Sequence, residues 1–452
     1  MTGFNRWAEL KDQEGYHGPP LRAWQERALL EWEANSKRGV IEAITGTGKS
    51  MVGVAAIHEV VSHGGVAAVI VPTKALVVQW SKILRETLPG IRIGQLSDGK
   101  KDNFGAHDVI VATIQSIYRA PLRTRSLMLL VADEVHRYGS EKYQAALTDD
   151  YSWRIALTGT YERQQDDGIE QYLKPFFGDV VFSYGYAEAL ADGTVAPFKL
   201  ALVETPFTES ERNEYLEADE RCSDARSKLI RQFRFPEDWR EFFALVTKAA
   251  GSNEPSRIRD LSQQYMKGFS DRKKLLAATA SKLSFAEKIG PHLGHLKGTL
   301  VFSESKDSAR RLAFVINKSV SAFPLDGDSK SADRDSKLRQ FSSGALKVIC
   351  APRILDEGID VPEAELAIIA SASQTKRQMI QRMGRVIRLK ADGGIARIII
   401  LFVPGTPEDP DSGGYEAFLD EVLPHAQSTI RLSEGKSALL QTWLTSREAL
   451  EN

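Results

Sequence analysis

This sequence has little cysteine, almost no net charge and no long apolar run, and each lack removes a class of protein. Two cysteines, Cys222 and Cys350, stand far apart in 452 residues and belong to no C-x-x-C pair. A zinc site, an iron–sulfur cluster and a disulfide framework are thereby set aside, and the usage suits a reducing cytosol, so a cytoplasmic protein is expected. Lys plus Arg total 59 against 60 Asp plus Glu, for a formal net charge of -1. Overall charge therefore gives no sign of a polyanionic partner, and any basic surface must be local. No stretch reaches the roughly 18 consecutive apolar residues that would cross a bilayer. The start of the chain, with Asn5, Arg6, Glu9, Lys11, Asp12 and Glu14, offers no apolar export segment, and no membrane partner is expected. Short solenoid-type repeats are also missing. What remains, 42% hydrophobic and 26% charged residues, is an ordinary globular composition long enough for two or three domains.

Against that plain background one stretch stands out, Ala43-Ile44-Thr45-Gly46-Thr47-Gly48-Lys49-Ser50. It follows a short strand pattern, Gly39 to Glu42, and precedes a helical one, Met51 to Ile57. Glycines without Cβ atoms let such a loop close on a phosphate chain, and the free N–H groups of a helix start point at the anion. Lys49 would reach the β- and γ-phosphates of a nucleotide, and the Ser50 hydroxyl would join the shell of a Mg²⁺ ion. The plainer alternative is a glycine turn that only joins a strand to a helix. The strict loop has Gly where Ala43 stands.

Apolar runs alternate with helical patterns on either side. Val66 to Val71, Asp108 to Thr113, Leu127 to Ala132 and Arg154 to Thr158 read as buried strands, with helices over Leu21 to Glu33 and Ala75 to Leu88. Continuous apolar strands between helices mean a parallel sheet covered on both faces. The pattern stops around Phe198 to Thr205 and restarts at Gly298, with strands at Lys347 to Ala351, Leu366 to Ala370 and Ala396 to Phe402. The expected organisation is an N-terminal extension over 1–20, an α/β domain over 21–205, a charged helical insert over 206–293 and a second α/β domain over 294–452.

Two further clusters carry chemistry. Asp133 and Glu134 close an apolar strand, where a magnesium-holding and a water-orienting carboxylate are needed if the glycine loop binds a nucleotide. In Gln381-Arg382-Met383-Gly384-Arg385-Val386-Ile387-Arg388, helical spacing puts Gln381, Arg385 and Arg388 on one face. Two guanidinium groups and an amide suit a γ-phosphate; an exposed basic helix face is the plainer alternative.

In this order these segments resemble the superfamily-2 helicases. Ala43 to Ser50 is similar to motif I, Pro72-Thr73-Lys74 to motif Ia, Asp133-Glu134-Val135-His136 to the D-E-x-H box and Leu157-Thr158-Gly159-Thr160 to motif III. Ala112 to Ser116 resembles a strand-contact motif, Leu300-Val301-Phe302 opens motif IV, Leu355 to Pro362 resembles motif V and Gln381 to Arg388 motif VI. The box, the Glu357 to Pro362 segment and the Leu21-Arg22-x-x-Gln25 start look like the XPB-like and phage or bacterial repair-type DNA helicases, with Trp24 where that group has Tyr.

The resemblance implies two RecA-like domains in tandem, ATP and Mg²⁺ as cofactors, and DNA, single-stranded, duplex or branched, as partner. It implies a loop of Thr45, Gly46, Thr47, Gly48, Lys49 and Ser50 on the phosphates, Arg22 and Gln25 on the adenine, and Gly358 and Asp360 near the nucleotide. Ser50 and Asp133 would hold the metal, Glu134 would orient the water, and Lys49, Gln381, Arg385 and Arg388 would meet the developing charge. His136, Thr158 and Thr160 would couple hydrolysis to nucleic-acid grip, made by Thr73, Lys74, Thr113, Gln115, Arg353 and the Ser303-Glu304-Ser305 loop. The insert interleaves basic residues with Phe233, Phe235, Trp239, Phe242 and Phe243. It reads either as a duplex clamp or wedge, as an arm with its own small core, or as a docking site for a partner protein. The leading expectation is an ATP-dependent DNA helicase or translocase of repair, recombination or branch-migration type. The alternatives are an ATPase clamp that separates no strands and an RNA helicase.

Overall fold

The computed structural model describes the chain except for residues 1–5, 163–166, 253–255, 327–330, 353–362, 372–378, 380–382, 385, 389–392, 434–436 and 446–452. Residues 6–197 with the described part of 375–394 form one compact unit, and the remaining described residues form another.

The first unit is built on strands β1 (Arg38–Ala43), β2 (Val66–Val71), β3 (Ile93–Ser97), β4 (Lys100–Lys101), β5 (Val109–Thr113), β6 (Met128–Asp133), β7 (Trp153–Thr158) and β8 (Val180–Tyr184). They lie in the order β4-β3-β5-β2-β6-β7-β1-β8, parallel except for the short β3–β4 hairpin. Val69 pairs with Val111 and Val131 with Ile155, so the apolar runs seen in the sequence stack side by side in the buried middle of the sheet. Helices α1 (Ala23–Ala34), α2 (Lys49–Ser62) and α3 (Lys74–Thr87) belong to this unit. The residues ahead of α1 are more than a polar extension. Trp7, Leu10 and Tyr16 are buried, the His17 amide donates to the Thr87 carbonyl over 2.7 Å, and Arg6 pairs with Glu59 of α2 at 2.6 Å.

The second unit carries β9 (Phe198–Glu204), β10 (Thr299–Phe302), β11 (Ala322–Pro324), β12 (Val348–Ala351), β13 (Leu366–Ile369), β14 (Ala396–Phe402) and β15 (Ser428–Leu432), in the order β11-β12-β10-β13-β14-β9-β15 and parallel throughout. Here the expected boundary at 205 is corrected. Phe198 to Glu204 is a strand, and it pairs with β14 and β15 in the second sheet, Ala201 facing Ile399 and Ile430. Both partners arrive about two hundred residues later in the chain, so no local pattern announces them.

Between β9 and β10 run helices α4 (Glu209–Phe233), α5 (Trp239–Ala250), α6 (Arg257–Ala277) and α7 (Ala280–Leu293). The insert expected over 206–293 is therefore shorter than its helices, because α7 buries Ala286, Ile289 and Leu293 in the core of the second sheet. The arm proper, α4 to α6, has a small core of its own. Phe242 and Tyr265 pack with Cys222, Leu229, Val246 and Leu261, and Phe233, Phe235 and Phe243 close its rim. Trp239 is about half exposed. Several of the arm's basic residues meet carboxylates or carbonyls nearby: Arg272 pairs with Asp219, Lys273 with Glu304 at 2.8 Å, and Arg226 donates to the Glu237 carbonyl over 2.8 Å. Arg231 and Arg234 face solvent.

Among the described residues no helix is long and apolar enough to cross a membrane.

Candidate functional site

The carboxyl ends of parallel strands are where loops of an α/β sheet converge. At the end of β1 the chain turns through Gly46 and Gly48, both at positive φ of 97° and 92°, and enters α2 at Lys49. A side chain at either glycine would be strained by that φ, and at Gly46 an added Cβ would stand 3.0 Å from the Gly384 carbonyl oxygen. The Lys49 ammonium donates to the Ala43 carbonyl over 2.7 Å, and the Thr47 hydroxyl to the Ile44 carbonyl over 2.8 Å. Thr45 Oγ1 is buried and has no hydrogen-bond partner among the described residues. A closed glycine cradle, a cation, a helix N-terminus and an orphaned hydroxyl fit a phosphate chain.

Arg22 and Gln25 sit at the start of α1 beside this loop. The Gln25 side chain accepts from the Arg22 amide at 2.8 Å and donates to the Gly48 carbonyl at 2.9 Å, while the Arg22 guanidinium donates to the Thr47 carbonyl at 3.1 Å. Both side chains thus brace the loop itself. Trp24, between them, is fully buried and stacks on Tyr184 with ring centroids 4.7 Å apart, so it is core packing.

Asp133 ends β6, two strands from β1 across the sheet. Its Oδ1 accepts from the Glu134 amide at 3.0 Å and its Oδ2 from the Trp80 indole at 2.8 Å. Burial pushes the Asp133 carboxyl up from the ordinary carboxylate range; the Trp80 N–H, the Lys49 charge and the Glu134 amide work against that shift. The Tyr138 hydroxyl donates to the Asp133 and Ile70 carbonyls over 2.6 and 2.9 Å, which pins the strand end. Glu134 then adopts a left-handed conformation, φ 52°, that residues other than glycine seldom take. The residues expected to hold the metal, Ser50 and Asp133, would both offer oxygen, a donor set that suits a hard cation such as Mg²⁺.

A polar chain continues from there. His136 is 2% exposed; its Nδ1 lies 3.5 Å from Glu134 Oε2 and 3.0 Å from the Thr158 hydroxyl. Thr158 Oγ1 in turn donates to the Thr160 carbonyl at 2.7 Å. The next residue is held from the glycine-loop strand, because the Tyr161 amide donates to Glu42 Oε1 over 2.7 Å.

Of the arginine-bearing segment, Gln381 and Arg385 lie outside the described residues, as do Gly358, Asp360 and Arg353. Gly384 and Arg388 are described, and both meet the glycine loop. A Cβ on Gly384 would come within 2.3 Å of Thr45 Cβ, and the Arg388 side chain passes close to Gly46. Arg388 also forms a bridge with Val195.

The residues expected to grip nucleic acid are spread along other loops. Thr73 caps α3, accepting from the Leu76 amide, and Lys74 pairs with Asp98 on the surface. The Thr113 hydroxyl meets that of Ser116 at 2.9 Å, and the Gln115 amide donates to the Tyr143 hydroxyl over 3.3 Å. In the second unit Ser303 is buried, Glu304 is paired with Lys273, and Ser305 caps the following helix. Sequence reasoning missed Trp80, Glu42 and Tyr138, because an aromatic on a helix face or an acid inside a strand reads as ordinary packing.

Comparison with known proteins identifies the family. The family described as "Type III restriction enzyme, res subunit" matches residues 19–163, and the "Helicase conserved C-terminal domain" matches residues 282–390. The DNA 3'-5' translocase XPB2 of Sulfurisphaera tokodaii is 31% identical over 378 residues, which cover 82% of this chain and 79% of that one. The putative DNA 3'-5' helicase Rad25 of Halobacterium salinarum is 26% identical over 401 residues, 86% of this chain and 55% of the relative. The chain spans 64% of a further relative, the uncharacterized Mycobacterium tuberculosis protein Rv2917, at 26% identity over 428 residues. Among solved structures, S. cerevisiae Dbp5 bound to RNA and ADP BeF3 superposes with a TM-score of 0.61 at 15% identity, covering 93% of this chain and 92% of that one. The Pyrococcus furiosus Hef helicase domain gives 0.58 at 18% identity, covering 88% and 98%. At such identities these two speak to fold alone.

Proposed function

Because this chain belongs to the superfamily-2 helicases, in their XPB-like group of ATP-dependent DNA helicases and translocases, we propose that it hydrolyses ATP at the glycine loop of its first unit and uses the cycle to move on or remodel DNA. The observation that supports the reading most directly is that Lys49, Asp133 and Glu134 stand on loops two strands apart at the carboxyl end of one parallel sheet, the Lys49 charge acting on Asp133, with Gly384 packed on Thr45.

In this reading the loop amides and Lys49 hold the β- and γ-phosphates, and Arg22 and Gln25 shape the adenine end while they brace the loop. Ser50 and Asp133 hold Mg²⁺, which when bound neutralises phosphate charge and polarises the phosphoryl group. Glu134, fixed by its left-handed backbone, orients the attacking water and takes its proton. Phosphoryl transfer needs mainly positioning and charge compensation, which Lys49, Gln381, Arg385 and Arg388 supply. His136, Thr158 and Thr160 link Glu134 to the next loop of the sheet, so a shift of that loop on DNA binding changes how Glu134 meets the water. By the family resemblance Gly358 and Asp360 are assigned to the nucleotide, and Arg353 to the nucleic-acid backbone; all three lie outside the described residues.

DNA is gripped through its backbone by Thr73, Lys74, Thr113 and Gln115, so binding is weakly sequence-specific and falls with salt. The test is the ATPase rate without nucleic acid and with single-stranded, duplex and branched DNA and RNA, at two salt concentrations. Strong stimulation by duplex or branched DNA is expected. Stimulation by RNA alone would sink the DNA reading.

A further inference from the structure

Asp133 has one side-chain hydrogen-bond donor among the described residues, and it comes from a helix that carries none of the residues assigned to ATP chemistry. That donor is Trp80 of α3, 1% exposed, whose indole N–H reaches Asp133 Oδ2 at 2.8 Å. The ring is wedged in place. Gly53 of α2 leaves it room, since a Cβ there would stand 2.8 Å from Trp80 Cη2 and 3.0 Å from a Val131 methyl. Val77, Ser81 and Leu84, on the same face of α3, are buried with it, and Gln95 donates to the Ser81 hydroxyl over 2.8 Å. A buried indole N–H needs a hydrogen-bond partner, and here that partner is this carboxylate and not a backbone carbonyl.

We propose that Trp80 is a positioning residue for the metal-holding carboxylate: its N–H fixes the rotamer of Asp133 and ties it to the helix that begins at Thr73 and Lys74. The inference rests on the proposed function, in which Asp133 holds Mg²⁺. A carboxylate that binds a metal through one oxygen edge is oriented by the donors on its other lone pairs, and loss of such an outer partner typically lowers metal affinity by about 10–100-fold. Here Oδ1 takes its own chain's Glu134 amide, which moves with the strand, so among the described residues Trp80 is the one hydrogen-bond donor that refers the carboxylate to a second element. The same bond makes α3 a direct mechanical connection between its capped N-terminus, where Thr73 and Lys74 stand, and the metal site.

The experiment uses the full chain and measures Mn²⁺ binding by electron paramagnetic resonance in the presence of a non-hydrolysable ATP analogue, with analogue binding in EDTA as the metal-free reference. Trp80→Phe is expected to weaken Mn²⁺ binding about tenfold and to leave analogue binding in EDTA unchanged. Trp32→Phe removes another buried indole donor of the same unit, one that ends 2.9 Å from the Arg154 carbonyl, and is expected to bind Mn²⁺ as the parent does. If Trp80→Phe fails to fold, the benzothiophene analogue of tryptophan at position 80 keeps the ring shape and deletes only the N–H, with the same loss expected. Parent-like Mn²⁺ binding by the folded position-80 variant, beside a clear loss in Asp133→Ala, would overturn the role of Trp80 and leave the proposed function standing. Parent-like binding by Asp133→Ala would overturn the metal-holding role given to Asp133, and with it the inference drawn for Trp80.

Discussion

The ring of His136 and the hydroxyl of Thr158 lie 3.0 Å apart, and this bond joins the loop after β6 to the end of β7. Glu134 stands at one end of that connection and the Thr160 loop at the other. Removing the middle should separate hydrolysis from its stimulation by DNA. We expect His136→Ala to keep most of the basal ATPase and to lose most of the DNA-stimulated increment, with Thr158→Val giving a milder version. One lost hydrogen bond of this kind is worth about 0.5–1.5 kcal/mol, or about a two- to thirteenfold effect. Steady-state ATPase with and without saturating duplex DNA measures it.

Lys49 and Glu134 make different demands on the bound nucleotide. Lys49→Ala should abolish ATP hydrolysis and weaken nucleotide binding. Glu134→Gln should still bind ATP while turnover falls by about 10²–10⁴-fold, the usual reach of a positioned acid or base. Binding of a fluorescent nucleotide beside single-turnover hydrolysis distinguishes the two. Wild-type turnover by Glu134→Gln would mean that the carboxylate has been given the wrong role.

Gly384 touches the glycine loop so closely that it has no room for a methyl group, which would lie 2.3 Å from Thr45 Cβ. Gly384→Ala should therefore displace the loop or the segment opposite it, at an overpacking cost of about 1–3 kcal/mol. The expected result is a folded protein with a raised KM for ATP, seen in initial-rate kinetics at fixed DNA. An unchanged KM would show that the loop can yield without loss.

Lys282 and Glu408 form a buried pair, 2.6 Å apart and 0% and 3% exposed, within the second unit. Lys282 also donates to the Leu276 carbonyl over 2.6 Å, so it joins the end of α6, α7 and the loop after β14. Burial lowers the Lys282 ammonium below the ordinary lysine range, and Glu408 works against that shift. Lys282→Ala should destabilise this unit by about 3–5 kcal/mol, because Glu408 keeps its burial and loses its cation. Lys282→Met with Glu408→Leu should recover most of the loss. Denaturant melts of the three chains decide this.

The phenol of Tyr16 is pushed up to about 12 by burial, and its hydroxyl donates to the Pro19 carbonyl over 2.7 Å. Since the folded value lies above the ordinary 10.0, its contribution to stability is full below about pH 10 and is lost as the pH rises toward 12. Tyr184, also raised to about 12, adds in the same direction. Denaturation midpoints at pH 9 and 11 should differ, and Tyr16→Phe should narrow the difference.

Much of the plan could be read in advance, for a physical reason visible in particular strands. Val66 to Val71 is apolar throughout and Ala396 to Phe402 is apolar but for Arg397; both lie inside their sheets, buried on both faces, so their composition alone marked them. Phe198 to Glu204 is also mostly apolar but carries Lys199 and Glu204, and it was assigned to no sheet, because its hydrogen-bond partners are remote in sequence. The short strands at the sheet margins, Lys100–Lys101 and Ala322–Pro324, carry too little apolar patterning to show at all.

The amino-acid sequence by itself determined the glycine loop, the Asp133-Glu134 pair and the family, since these depend on residue types at fixed short spacings, which local chain geometry turns directly into a strand, a turn and a helix N-terminus. Only the tertiary structure decided which sheet Phe198 to Glu204 joins, that the arm's aromatics pack on one another, and that the indole of Trp80 ends on Asp133. Each of these depends on burial against a distant segment. The residue types involved would read the same whether that segment were present or not.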